Sequence, residues 1–261
     1  MQYGCSVGAA VWRRVCVVLP RLALLLLSTE VIAGTSLPVS FEPNLGQAAR
    51  GVEFLSRTAA YRVFLTRSDA VMAAQDGSTL RIDFVGANPT DPAGVQRLPG
   101  NSNYLIGSDP ERWRAAILNY KKVRYSNAYP GVDLVWHGHG GEVEHDFLVA
   151  AGADSGRIRL RLSGETPDLD SDGNVAAGKF RFHKPRAYQD GREIPCRYKL
   201  RGWRLSFSLG RYDRGRPLTI DPVLSFSTFL GGSYQDSTAA IALDSSWWRC
   251  ANSVLREAAS G

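Results

Sequence analysis

The sequence lacks a long apolar segment, a serine nucleophile elbow and a phosphate-binding glycine loop. Its main apolar stretch, Val15 to Leu27, is interrupted by Pro20 and Arg21, whereas a membrane-spanning helix needs about 18 or more apolar residues in a row. No Gly-x-Ser-x-Gly motif occurs, and Gly231-Gly232-Ser233 lacks the Lys of a phosphate-binding loop. We therefore expect no stable membrane span, no serine hydrolase site and no nucleotide-binding loop of that type.

Cysteine and clustered charge are also scarce. Of four Cys in 261 residues, Cys196 and Cys250 lie beyond the N-terminal segment. A disulfide between them is permitted in an oxidising compartment, and the sequence leaves open whether it forms. The 31 Lys and Arg residues exceed the 25 Asp and Glu residues by six, but they form no block. Because nucleic-acid binding needs a concentrated basic footprint, we expect no nucleic-acid partner.

The first 33 residues have the layout of a secretory signal peptide. Arg13 and Arg14 precede the apolar stretch, and Val31-Ile32-Ala33 ends it with a small residue of the kind found at cleavage sites. Removing this segment takes away three Arg and one Glu, so the formal charge falls from +6 to +4. We expect a secreted or cell-surface protein, in the periplasm or outside the cell.

From residue 52 onward the dominant hydrophobic period is two. Apolar residues alternate with polar ones in five runs: Tyr61/Val63/Leu65, Leu80/Ile82/Phe84, Ile158/Leu160/Leu162, Phe180/Phe182 and Trp203/Leu205/Phe207/Leu209. Such alternation places one face of a strand on a core, and Asp-Gly and Gly-rich turns separate the runs. The pattern predicts an all-β fold, either an antiparallel β-sandwich or barrel-like sheets, and leaves open whether it forms two packed β subdomains.

Two local features interrupt the strands. Asp109 followed by Pro110 predicts a single helical turn within residues 109–116, because Asp caps helix starts and Pro fits the first turn. A possible seam between β units lies at residues 150–156, where Ala150-Ala151-Gly152-Ala153 separates two strand patterns.

A series of short motifs, occurring in a fixed order along the chain, carries a resemblance to a known protein family. They include FEPNLGQ (41–47), VGANP (85–89), NSNYLIG (101–107) followed by Trp113, YSNAYPGVDL (125–134), EHDF (144–147) and TIDPV (219–223). The tail from residue 224 reads LSFSTFLGGSYQDSTAAIALDSS. Together they resemble the N-terminal region of bacterial secreted proteins carrying SBBP (seven-bladed β-propeller) repeats, with the opening of one repeat at the end.

The resemblance implies a domain organisation. Residues 1–33 are a signal peptide, 41–222 a β-rich N-terminal domain, 223–246 the start of a propeller repeat, and 247–261 an aberrant tail. One repeat cannot bury its apolar face alone, and the pattern breaks at Trp247, so we expect a truncation or frameshift after Ser246. Such domains carry no assigned chemistry, and we expect a non-enzymatic structural or interaction module with no cofactor, whose partner is a surface protein or a glycan.

The first competing interpretation is a metal-dependent, cupin-like enzyme. Residues two apart on a strand share a face, so His137 and His139 can point at one ion while Glu144 returns on the partner strand. A cupin needs a further His from a second motif, and His183 lacks that context. Gly138, Gly140 and Gly141 favour a polar hairpin tip instead.

The second candidate is a calcium loop formed by Asp168, Asp170, Asp172 and Asn174. Alternating carboxylates followed by Gly173 match the first half of such a loop. Lys179 replaces the expected bidentate Glu, and the alternative is an Asp-Gly hairpin turn whose Asp side chains bond to nearby backbone N–H groups.

A third interpretation is a glycan-binding β module. Aromatic residues are dense between positions 104 and 136, and exposed rings form carbohydrate platforms whereas buried ones fill β cores. The rings concerned are Tyr104, Trp113, Tyr120, Tyr125, Tyr129 and Trp136.

Overall fold

The computed structural model describes residues 38–227, and strands make up nearly all of their regular structure. The strands are β1 Phe41–Pro43, β2 Phe54–Arg57, β3 Tyr61–Leu65, β4 Asp69–Ala74, β5 Thr79–Phe84, β6 Ala93–Tyr104, β7 Arg114–Tyr129, β8 Val132–His139, β9 Glu142–Val149, β10 Arg159–Ser163, β11 Pro167–Leu169, β12 Val175–Ala177, β13 Phe180–Phe182, β14 Arg186–Gln189, β15 Arg192–Ile194, β16 Cys196–Arg201, β17 Arg204–Leu209, β18 Leu218–Asp221 and β19 Leu224–Phe226. Two 3₁₀ turns, Pro110–Arg112 and Ser155–Arg157, complete them.

Fifteen strands form one antiparallel sheet that curls into a nearly closed, barrel-like layer. Their order is β15-β14-β18-β9-β8-β7-β1-β2-β3-β4-β5-β10-β17-β16, and β6 pairs with β7 off this path. The two strands at the ends of this order, β15 and β16, are consecutive in the chain and separated only by Pro195. β15 pairs with β14 and β16 with β17, and the Pro195 carbonyl accepts from the Gly210 N–H at 2.7 Å, so the two ends of the layer meet at Pro195 without pairing with each other.

The inner face of this layer is the core. Side chains at alternate positions of many of its strands are buried, as at Val63 and Leu65 on β3 or Leu160 and Leu162 on β10, and the residues between them on β10 are exposed. These buried residues belong to one continuous hydrophobic cluster that extends from Val39 to Leu224. The period-two pattern of the sequence therefore encodes which face of the sheet lies inside.

A second, four-stranded sheet in the order β11-β12-β13-β19 packs its apolar face into the same core. Tyr61 of β3 links the two sheets. Its ring packs edge-on to Phe180 at 5.9 Å and beside Phe226 at 5.6 Å. Its hydroxyl accepts a hydrogen bond from the backbone N–H of Val143 on β9 at 3.1 Å. One buried side chain thus connects distant strands of the large sheet with the small sheet.

The predicted all-β class with antiparallel barrel-like sheets is confirmed. The predicted helical turn is present, with the Asp109 carboxylate accepting from the N–H of Glu111 at 3.0 Å. The prediction that Trp203 lies on the buried face of a strand is wrong. This residue lies in the turn before β17 and is 42% exposed, because the two-residue reversal at Gly202 and Trp203 ends the alternation.

The domain limits stay predictions. Strands on both sides of the possible seam at residues 150–156 pair within one sheet, since β10 pairs with β5 and β18 pairs with β9. The predicted signal peptide and the tail from 228 to 261, with Cys250, lie outside the described residues. Residues 38–227 contain no helix with the length and apolar character that crossing a bilayer requires.

We predict that Tyr61→Phe lowers the free energy of unfolding by about 1–3 kcal/mol, because the Val143 N–H then stays buried without an acceptor. Tyr188→Phe is the matched control. That half-buried hydroxyl makes no hydrogen bond within residues 38–227, so its removal changes stability by less than about 0.5 kcal/mol. Urea titration of both variants measures the difference, and equal midpoints would contradict the linking role of Tyr61.

Candidate functional site

The histidines singled out in the sequence lie on the hairpin of β8 and β9. Gly140 and Gly141, both at positive φ (57° and 87°), form its two-residue turn, the conformation that favours glycine in tight hairpins. This turn sets the register, which pairs His137 with Glu144 and His139 with Glu142. The predicted hairpin tip is therefore present, and it places His137 and Glu144 side by side on the outer face.

Two further carboxylates join this outer row. The His137 ring Nε2 lies 3.0 Å from the Asp146 carboxylate, and this hydrogen bond raises the pKa of His137. Burial raises the pKa of Glu144, and it also raises that of Asp221 at the end of β18, where the nearby Asp146 charge adds to the effect. The row therefore brings one imidazole and three carboxyl groups together on one side of the sheet, with a hydrogen bond between His137 and Asp146.

The partner of Asp146 differs from what the sequence favours. Glu144 and Asp146 share a strand face in a chain rich in arginine, which favours cross-strand ion pairs with that residue. For Asp146 the structure shows His137 instead.

The predicted metal set does not converge. His139 is exposed near the hairpin tip, opposite Glu142 and away from the bond between His137 and Asp146. Across residues 38–227, no group of three or more His, Cys, Asp or Glu side chains has the arrangement that holds a metal ion. His137, His139 and Glu144 thus share a hairpin without forming a common ligand set.

His145, between these polar neighbours, points the other way. It is 1% exposed, stacked on Trp136 with ring centroids 4.7 Å apart and edge-on to Phe147 at 5.5 Å. Neither ring nitrogen has a hydrogen-bond partner among the described residues. Burial lowers the pKa of His145 to about 4. This histidine is a neutral, aromatic part of the core, because a charged imidazole would be unsolvated there.

The predicted calcium loop lies between β11 and β12. Asp170 is the centre of this turn: its carboxylate accepts from the backbone N–H groups of Asp172 and Asn174 at 3.0 and 2.8 Å. The Asn174 side-chain amide and the Arg181 guanidinium, each at 3.0 Å, also donate to it. These bonds lower the pKa of Asp170, and the bond from the Asn174 side chain has the largest effect.

The other members of the predicted loop do not face Asp170 as ligands. Asp168 and Asp172 are exposed, and the Asn174 carbonyl oxygen accepts from the Lys184 N–H at 2.9 Å. The carboxylate oxygens of Asp170 thus serve the Asp-Gly turn, and calcium binding stays a prediction.

The aromatic residues divide into two groups. Tyr125, Tyr129 and Trp136 are in the core, each no more than 1% exposed. Tyr104 and Tyr120 are half-buried on the hairpin of β6 and β7, and Trp113 is 39% exposed at its tip. The six rings therefore do not form one exposed platform.

A cleft occupies the open edge of the barrel-like layer. It encloses about 710 Å³ between β14 to β15 on one side and β16 to β17 on the other, with Lys184, Arg186, Glu193, Cys196 and Arg197 among its lining residues. Arg186 pairs with Glu193 at 2.8 Å. The Cys196 thiol is 7% exposed, and burial raises its pKa to about 11. It is a protonated thiol rather than a nucleophile at neutral pH.

Sequence reasoning missed Asp146 and Asp221 as companions of His137, and the burial of His145. The sequence contains a signal for two of these features, the position of Asp146 and the burial of His145. Strict alternation along β9 places Glu144 and Asp146 on one face and His145 on the other. The contribution of Asp221 depends on β18 pairing with β9, which no local pattern indicates.

Comparison with known proteins gives one match. The model of the family DUF7948, a domain of unknown function, matches residues 41–223. No curated protein and no solved structure matches the chain. The match spans β1 to β18 and ends just before β19.

His145 and His137 lie in opposite environments, and they therefore contribute in opposite directions to the pH dependence of the unfolding free energy. The depressed pKa of His145 means that its contribution to stability is complete above about pH 6.5 and is lost as pH falls toward about 4. Each pKa unit corresponds to about 1.4 kcal/mol, so the full loss is on the order of 3 kcal/mol. His137 acts in the opposite sense, since its raised pKa gives stability that is lost as pH rises through it.

We therefore expect His145→Phe to flatten the fall in unfolding free energy between pH 6.5 and pH 4, because a phenyl ring cannot be protonated. His139→Gln, which changes an exposed histidine of the same hairpin, is the control and keeps the wild-type slope. Guanidinium titrations at several pH values give the comparison. An unchanged slope in His145→Phe would show that other groups cause the acid loss.

Proposed function

The chain belongs to the DUF7948 family of domains of unknown function, and from that premise we propose that it is a non-catalytic, exported structural or interaction module. It precedes β-propeller repeats of the SBBP type in a bacterial secreted or cell-surface protein. The family assignment covers the same residues that carry the resemblance to the N-terminal region of such proteins.

The observation that carries this proposal is how two of the polar candidate residues, Asp146 and Asp170, are used; among the described residues, Asp221 Oδ1 is buried without a hydrogen-bond partner. The Asp146 carboxylate, bonded to His137, and that of Asp170, bonded to backbone N–H groups and Arg181, each have partners within the fold. A catalytic acid, base or nucleophile needs a free atom directed at substrate. In the described part of the chain, these side chains shape and stabilise the hairpins and turns.

The connection to a propeller is supported by the position of β19. The predicted repeat starts at residue 223, and its first strand, Leu224–Phe226, pairs with β13 of the small sheet. Phe226 packs on Phe180 with ring centroids 4.9 Å apart. A propeller repeat would therefore leave the domain from an anchored strand, which suits a module that holds the propeller in a fixed position.

The non-catalytic role predicts a negative result with a defined control. We expect purified protein to carry no transition metal at a near-stoichiometric level. We also expect it to turn over esters, glycosides and phosphate esters no faster than the double variant His137→Gln/Glu144→Gln. Metal analysis and a substrate panel measure both. Turnover that disappears in the double variant would overturn the proposal in favour of the metal-dependent enzyme.

Export is tested independently. Expression of the full chain in a bacterial host is expected to yield an extracytoplasmic protein whose N-terminal residue is Gly34, because the pattern of residues 1–33 predicts cleavage after Ala33. N-terminal sequencing of the fractionated protein reads this out. A cytoplasmic product that begins at Met1 would contradict the export part of the proposal.

A further inference from the structure

The outer face of β10, β17 and β16 carries a concentration of positive charge that no stretch of sequence reveals. These three neighbouring strands expose the basic face, which we define by six side chains: Arg159, Arg161, Arg204, Arg197, Lys199 and Arg201. Adjacent strands lie about 4.8 Å apart and alternate residues of one strand about 6.8 Å apart. Six cations therefore lie within an area of roughly three strands by three side chains.

Most of this charge is uncompensated. Arg161 pairs with Asp83 of β5 at 2.7 Å, and Asp83 and Asp69 also hold Arg81 at 2.8 Å. Among residues 38–227, the other five cations of the basic face have no ion-pair partner. The acidic side chains thus end at β5, and the charge on β17 and β16 stays positive.

The strand register places like charges next to each other on the basic face, which lowers the stability of the fold. Arg204 on the middle strand lies directly opposite Arg161 on one side and Arg201 on the other. Like charges directly opposite each other across strands are destabilising. Serine at these positions would remove the repulsion, as Ser206 and Ser208 already occupy the next outward positions of the same strand. A solvated surface has no need for such a row, whereas an anionic ligand would convert repulsion into attraction.

The side chains of the basic face limit the classes of ligand that it can bind. Five of its six cations are arginine, whose planar fork binds carboxylate, sulfate or phosphate groups in pairs. The hydroxyls of Ser206 and Ser208 lie beside the cations. That of Ser206 donates to the Lys199 carbonyl at 3.4 Å, and both hydroxyl oxygens can accept hydrogen bonds from sugar hydroxyls. No aromatic side chain lies at an outward position of these three strands, and the exposed Trp203 in the turn between β16 and β17 is a single ring at their end. Single-stranded nucleic acid is held by stacking of successive bases and a membrane surface by an apolar face.

We propose that the basic face binds an anionic polysaccharide, recognising its carboxylate or sulfate groups by arginine and its hydroxyls by serine. The cleft beside Pro195 extends this face, since Arg197 lines both and Lys184 lies across the gap. A chain running across β10, β17 and β16 would meet cations on each strand and then enter the cleft. This inference rests on the proposed interaction-module function and names the partner of that module.

The test is calorimetric titration of the full chain with a heparin-derived octasaccharide and an oligogalacturonate, which distinguish sulfate from carboxylate recognition. Arg201→Ser/Arg204→Ser removes two charges from the basic face. Arg97→Ser/Lys121→Ser removes two exposed cations on β6 and β7 and is the matched control. We expect the face variant to lose about tenfold or more in affinity for at least one probe, and the control less than about twofold.

Two further readouts separate binding from folding. The thermal midpoint of the face variant is expected to equal or exceed that of wild type, because cross-strand repulsion is removed. The slope of log affinity against log salt is expected to fall by about two, one for each cation lost. Arg201→Lys/Arg204→Lys keeps the charge and is expected to weaken binding while leaving the salt slope unchanged.

Three results would overturn the proposal: no binding of either oligosaccharide, equal affinity in wild type and face variant, or tighter binding of DNA or of phosphatidylglycerol vesicles than of both oligosaccharides. Each of these is distinct from a failure of the non-catalytic role, which only turnover dependent on His137 and Glu144 would show.

Discussion

Every feature of this molecule depends on the requirement that alternate side chains of one curled antiparallel sheet meet in a shared core. Most of the fifteen strands contribute buried side chains to this core, and a four-stranded sheet packs into the same cluster. Tyr61 satisfies the requirement at its most demanding point, where its hydroxyl meets a backbone N–H of β9 and its ring meets two phenyl rings of the small sheet. A buried N–H without such a partner costs more than the bond itself contributes.

The same alternation decides the chemistry of each side chain by the face on which it falls. His145 and His137 lie on adjacent strands of one hairpin, yet their environments shift their pKa values in opposite directions. On the inner face, desolvation dominates, because neither ring nitrogen of His145 has a hydrogen bond within residues 38–227 and the attraction of the Asp146 charge is the smaller effect. On the outer face, the Asp146 carboxylate outweighs partial burial. Geometry of the sheet, rather than residue type, thus separates a core aromatic from a charged pair.

The sequence predicts the strands and hairpins, because the two-residue hydrophobic period and the turn residues determine these locally. It does not predict which side chains come together when strands distant in the chain pair. Alternation identifies the all-β class and most buried positions, and Gly140-Gly141 indicates the hairpin that pairs His137 with Glu144. The failures share a cause. Asp221 reaches the His137 row through β18, and the cations of β10, β16 and β17 form one face through pairings between strands up to about 45 residues apart in the chain. Charges that look dispersed in sequence become clustered on the folded surface, while the expectation of no nucleic-acid partner stays a prediction.

Native-state hydrogen exchange tests the shared core most directly. If the two sheets depend on one another through Tyr61 and its aromatic contacts, the amides of β12 and β13 should exchange only in the same global opening as those of β8 and β9, with equal free energies and equal denaturant dependence. Exchange of the small sheet in milder denaturant, while β8 and β9 remain protected, would contradict a single core and would mean that the two sheets fold independently.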